Sequence, residues 1–127
     1  MPVHYERDDS RRRVTVMTTG FVTPEEVRGV LDRQASEGAW SYSVLYDARL
    51  AVNTPTPDDV RRFVLHVGKL TTKYGPRGPV ALISSSARLS RMGRAYSSLG
   101  ELTALDVEVF TTVEEAEDWL AQQQPAP

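Results

Sequence analysis

Apolar and polar residues alternate near the start of the chain. Val14 and Val16 fall on one side of an extended backbone while Arg13, Thr15 and Met17 fall on the other, which predicts a half-buried strand over residues 12 to 20. Val3-His4-Tyr5-Glu6 supplies a partner strand, and Asp8-Asp9-Ser10 carries the short polar side chains that favour a turn between them. The chain is therefore expected to open with a hairpin.

The period then lengthens from two residues to that of a helix. Thr23-Pro24-Glu25-Glu26 reads as a helix start: Thr23 can satisfy orphan amides, Pro24 suits the first helical position, and Glu26 completes a capping box. Val27, Val30, Leu31 and Ala35 repeat at helical spacing, and Gly38 is placed to end the helix in a left-handed conformation. Ser43-Val44-Leu45-Tyr46 follows as an apolar run without alternation, the pattern of a central strand covered on both faces. Asp47-Ala48-Arg49 leads from it into a predicted loop, Leu50 to Pro55. Thr56-Pro57-Asp58-Asp59 repeats the cap-plus-proline start and opens a second helix bearing Val60, Phe63, Val64, Val67, Leu70 and Tyr74, which Gly75-Pro76 stops.

Pro79-Val80-Ala81-Leu82-Ile83 is another buried-type strand, with Ser84-Ser85-Ser86 capping what comes next. Leu89, Met92, Tyr96 and Leu99 predict a third helix near residues 87 to 101, and Val107-Glu108-Val109-Phe110 a last strand. A further capping box, Thr112-Val113-Glu114-Glu115, opens a final helix with Val113, Ala116 and Leu120 on its apolar face. The order ββαβαβαβα predicts a single α/β domain over residues 1 to 121, with a mixed, mostly parallel sheet, because strands joined through helices pair in parallel. Residues 122 to 127 are polar and proline-containing and are expected to fray as a tail.

Composition narrows the function rather than the fold. The 127 residues suit one core, and 15 Lys plus Arg against 17 Asp plus Glu leave a formal net charge of -2, so no global field attracts nucleic acid. The absence of Cys removes disulfides, thiolate ligands and thiol nucleophiles, and suits a reducing, cytoplasmic setting. Neither a signal-peptide pattern nor an apolar run of ~18 residues occurs, so no membrane role is expected. His4 and His66 stand far apart without ligand spacing, and no metal is expected. No Gly-x-Ser-x-Gly elbow occurs, and Gly75-Pro76-Arg77-Gly78 lacks the length and the Lys of a phosphate-binding loop. No catalytic residue, cofactor or enzymatic activity is expected.

With this order of elements, the chain resembles the STAS and SpoIIAA-like family of small bacterial domains related to anti-sigma-factor antagonists. The resemblance spans nearly the whole chain and is carried by Tyr5 before the hairpin, Gly20 through Glu25, Leu45-Tyr46-Asp47, Gly78-Pro79-Val80-Ala81, Val109-Phe110 and Glu115-Ala116-Glu117-Asp118-Trp119-Leu120. It implies a βα superhelix, in a family whose best understood members bind regulatory proteins rather than catalyse reactions. Members switched by phosphorylation carry an Asp-Ser or similar pair followed by glycine where this chain reads Asn53-Thr54-Pro55-Thr56-Pro57-Asp58, so that switch does not carry over.

In a parallel sheet, partners and ligands meet the loops beyond the carboxyl ends of the strands. The predicted topology brings Asp47, Arg49, Thr54, Thr56, Ser84, Ser85, Ser86 and Arg88 to that edge as the candidate ligand- or partner-binding residues. Guanidinium groups, hydroxyls and two helix starts there could hold a small anion; the same residues also read as caps and a local ion pair. Thr54 and Thr56 are candidate phosphorylation sites. Arg88, Arg91 and Arg94 form a basic stripe whose plain account is a solvated helix face, and His66 reads as an ordinary helix-surface histidine. Trp119, one position off the last apolar stripe, is a candidate contact for a homodimer or a partner. The expectation is a non-catalytic regulatory or scaffolding module that binds a protein partner through strand-end loops and the adjacent helix. A small-molecule domain holding an anionic or amphipathic ligand at the same edge is the alternative.

Overall fold

The computed structural model describes residues 2–87, 90, 91, 94 and 107–123. Strands β1 (Val3–Asp8) and β2 (Arg13–Gly20) form the expected antiparallel hairpin, with Tyr5 opposite Val16. Asp8 organises the turn by accepting from the Ser10 and Arg11 amides, and Arg12 closes it at φ +50. Helix α1 (Pro24–Ser36) begins with both halves of the Thr23–Glu26 capping box, and Gly38 follows it at φ +77, where a side chain would be strained.

Strand β3 (Ser43–Ala51) pairs in parallel with β2 and runs five residues further than the sequence pattern indicates. Leu50 and Ala51, expected in a loop, pair instead with Thr19 and Gly20. The apolar run broke at Asp47, but the ladder continues past it. One extra residue of β3 is accommodated in a bulge between the Met17–Asp47 and Thr19–Leu50 pairs.

Helix α2 (Pro57–Tyr74) starts at a second capping box, Thr56 with Asp59, and ends at Gly75. Strands β4 (Val80–Ile83) and β5 (Val107–Phe110) then extend the sheet in parallel, and helix α3 (Val113–Gln123) follows the Thr112 cap. This last helix reaches two residues into the stretch 122–127 assigned to a tail; residues 124–127 lie outside the described residues, as does most of the third helix expected near 87 to 101. Ala87, Ser90, Arg91 and Arg94 do have helical backbone.

The sheet order is β1-β2-β3-β4-β5, so each described crossover joins neighbours. Helices α1 and α2 lie side by side, joined by Leu31, Ala35, Trp40, Val67 and Leu70 and by a 2.7 Å contact from His66 Nε2 to Asp32 Oδ1. Beneath α1 the core contains Val14, Val16, Val44 and Val80. On the opposite face α3 packs Ala116 and Leu120 against Leu45, Ala81 and Ile83. Arg13, almost wholly buried at the start of β2, reaches Glu117 of α3 at 3.2 Å.

Two glycines separate backbone constraint from mere propensity. Gly78 donates its amide to Trp40 O at 3.1 Å, and a Cβ there would collide with the Tyr42 and Ser41 carbonyls. Gly78→Ala should cost about 2–3 kcal/mol, read as a lower urea midpoint with unchanged slope. Gly29, exposed on α1 with open space around it, should respond to the same substitution with a gain of about 0.5–1 kcal/mol.

Candidate functional site

The carboxyl edge of the sheet gathers several of the expected residues but engages them with one another. Arg49 donates from Nε to Asp47 Oδ1 at 3.0 Å and from Nη2 to Asp47 Oδ2 at 2.7 Å, and its amide also reaches Oδ1 at 3.1 Å. These bonds from Arg49 hold the buried Asp47 carboxyl below its ordinary range and raise the guanidinium above its own. Ser85 Oγ donates to Arg49 O at 3.4 Å, which joins this pair to the β4 end. Ser84, fully buried, donates to Ser86 O and accepts the Ser86 amide, both at 3.1 Å, forming a local turn.

Thr56 is a cap: its hydroxyl accepts the Asp59 amide at 3.1 Å while Asp59 accepts the Thr56 amide at 3.0 Å. Thr54 is half-buried in the link from β3 to α2. Asp47, Arg49 and Ser85 thus come together, Ser84 bonds to Ser86, Thr56 turns to its own helix, and Arg88 lies outside the described residues. A shallow depression brings Ser84, Ser85 and Ser86 beside Arg91 and Arg94. Trp119 is half-buried against Phe110, with ring centroids 5.7 Å apart.

Sequence reasoning missed two features. The first is an apolar corner beside the candidate edge. Phe21, Leu50 and Val52 are 68%, 62% and 76% exposed. The Thr19–Leu50 and Gly20–Ala51 pairs and the Val52 amide on Gly20 O at 2.9 Å fix their backbones next to one another. Asn53 locks the corner, accepting the Val22 amide at 2.8 Å and donating to Val22 O at 2.7 Å. The signal was present: Leu50-Ala51-Val52 is too apolar for an ordinary loop.

The second is a half-enclosed recess of about 190 Å³ between the sheet and the two paired helices. Its floor includes the small side chains Thr18, Ala48 and Ala51, and its roof includes Val27, Val60 and Phe63. Packed interiors leave few voids larger than one water, whose share of liquid volume is ~30 Å³, so this space exceeds ordinary packing several-fold. Tyr46 and Arg77 also line its wall, and the lining residues Asn53 and Asp59 lie near the start of α2. Burial pushes the Tyr46 phenol up to about 12. No described residue hydrogen-bonds its hydroxyl.

Comparisons with known proteins show the fold. An uncharacterised protein of the DUF3478 family with a SpoIIAA-like fold, from Shewanella loihica, superposes with a TM-score of 0.58 over 93% of this chain and 91% of its own, at 19% identity. An anti-sigma factor antagonist from Mycobacterium paratuberculosis gives a TM-score of 0.58 over 94% and 92%, at 11% identity. Neither description is that of an enzyme. No family profile matches the chain, and no curated protein matches it. The fold is SpoIIAA-like, as the order of elements and the quoted residues led one to expect. Among the described residues no helix is long and apolar enough to cross a membrane.

Two titrations check the electrostatics. Because Asp47 is depressed in the folded state, its contribution is present above the unfolded carboxyl value of about 4 and is lost as pH falls through the lower folded value. The stability difference between the wild type and Asp47→Asn should therefore shrink as pH drops below about 4 in urea titrations. Tyr46 carries the opposite linkage: a phenol kept neutral in the fold contributes fully below about 10 and loses that contribution as pH rises toward about 12. Tyr46→Phe should remove one late step from the ultraviolet phenolate titration while the Tyr5 step, also near about 12, remains.

Proposed function

We propose that this chain is a non-catalytic regulatory module that docks a protein partner through the apolar corner of Phe21, Leu50 and Val52 and the strand-end loops beside it. One observation carries the reading. Three large apolar side chains stand in solvent on backbone held by a strand ladder and by both hydrogen bonds of Asn53. A contiguous exposed apolar patch costs solubility unless something covers it, and rigid apolar anchors are what the centre of an interface uses. The likeness to an anti-sigma factor antagonist supports a protein as the occupant.

The polar groups around the corner frame it rather than compete with it. Arg49 is tied to Asp47 and Ser84 to Ser86, so a small anion at this edge would have to displace bonds already made. A ligand at the same edge is therefore the weaker reading. The Thr56 hydroxyl is already engaged as the cap of α2, so Thr54, which caps none of the described helices, is the better of the two modification candidates.

The test is a double substitution, Leu50→Asp with Val52→Asp, in the full chain. Both side chains are largely solvent-exposed, so the urea midpoint should move by no more than about 0.5 kcal/mol in free energy. Proteins captured from cells of the source organism by the wild type and lost with the variant are then purified and titrated. A partner should bind the variant at least about tenfold more weakly. Identical capture by both proteins would discard the corner as the docking surface.

A further inference from the structure

The recess under α1 and α2 is lined mainly by apolar side chains, with Tyr46 and Arg77 in one part of its wall and Asn53 and Asp59 in another, a lining that a protein-docking role does not use. Thr18, Ala48, Val60, Phe63 and Leu82 supply short hydroxyl-bearing or wholly apolar wall, whereas Tyr46 and Arg77 bring a hydroxyl and a guanidinium. Arg77 lies in the link between α2 and β4, with its guanidinium carbon 5.1 Å from the centre of the Trp40 ring. It is near enough to Tyr46 to act on it electrostatically. Asp59, in the first turn of α2, belongs to the other end, where its carboxylate accepts the Thr56 amide.

From the volume, the charges and the Tyr46 hydroxyl, which no described residue hydrogen-bonds, we infer that the recess binds a small monocarboxylate with one apolar chain or ring, its carboxylate accepting from Tyr46 and facing Arg77. The size follows from packing. An apolar cavity of roughly 150 Å³ holds benzene, so about 190 Å³ holds a body of about six carbons. The polarity follows from charge: a cationic guanidinium at one end and a carboxylate at the other orient an anion toward Tyr46 and disfavour the reverse pose. A neutral phenol also donates to a carboxylate, whereas a protonated amine head group offers it no acceptor.

Hexanoate is the probe, with acetate, hexanol and hexylamine as comparators, titrated into the full-length chain by calorimetry and by chemical-shift mapping. Hexanoate should bind with a dissociation constant below about 1 mM and at least about tenfold more tightly than each comparator, shifting amides of β3 and β4 beside the recess. Tyr46→Phe should weaken hexanoate about five- to tenfold while leaving hexanol within about twofold, a difference a general loss of structure would not produce. Ala48→Leu, which fills the floor, should abolish binding and leave the circular dichroism spectrum unchanged. Should that variant not fold, the wild-type series and Tyr46→Phe decide the matter. No binding of hexanoate at millimolar concentration, equal binding of hexylamine, or hexanoate binding unaffected by Tyr46→Phe would each overturn the inference.

Discussion

Everything in this fold is arranged around a strand that has no free side. Strand β3 pairs in parallel with β2 on one edge and β4 on the other, under α1 and α2 on one face and α3 on the other. Such a strand can hold apolar residues almost anywhere but can bury a polar group only with a partner. Val44 and Leu45 satisfy this trivially. Asp47 does not, and Arg49 answers it with three hydrogen bonds from two residues further along the same strand. The pair, which the sequence offers both as part of a binding edge and as a local ion pair, is in the fold the means by which a central strand carries a carboxylate.

The same constraint shapes both candidate surfaces. Because β3 continues past Asp47, its last residues leave the cover of α3 while still paired with β2, and Leu50 is held in solvent instead of folding inward as a free loop would. On the other face, α2 gains its packing from α1 through Val67, Leu70 and Trp40, while Thr18, Ala48 and Ala51 are too short to fill the space beneath its first turns. A helix supported by its neighbour does not need to sink onto the sheet. The recess is what remains. By the usual penalty per unit of cavity volume, an empty dry space of this size would cost at most about 4–5 kcal/mol, a large fraction of a small domain's stability.

The hairpin, the helix starts at Thr23, Thr56 and Thr112, and the left-handed Gly38 were legible because each is a local event, settled by a few residues whose side chains and backbone torsions meet within one turn. The parallel order was legible for a similar reason, since strands alternating with helices leave few topologies. The end of β3 was not. Asp47 interrupts an apolar run, and only the presence of β2 alongside shows that Leu50 and Ala51 still have a ladder to join. Trp119 likewise read as a border residue of the last helix, and its packing on Phe110 depends on where β5 lies.

The sequence by itself determined the α/β class, the caps and the apolar faces of the helices, because propensity, capping and hydrophobic period act between residues close along the chain. Only the tertiary structure decided which candidate residues were already bonded to each other, that the backbone at Val52 pairs with Gly20 beside Phe21, and that Tyr46 and Arg77 share a recess. Those facts depend on how far apart two elements stand once each has packed against something else. That distance is set by the sum of all side chains between them and is written at no single position.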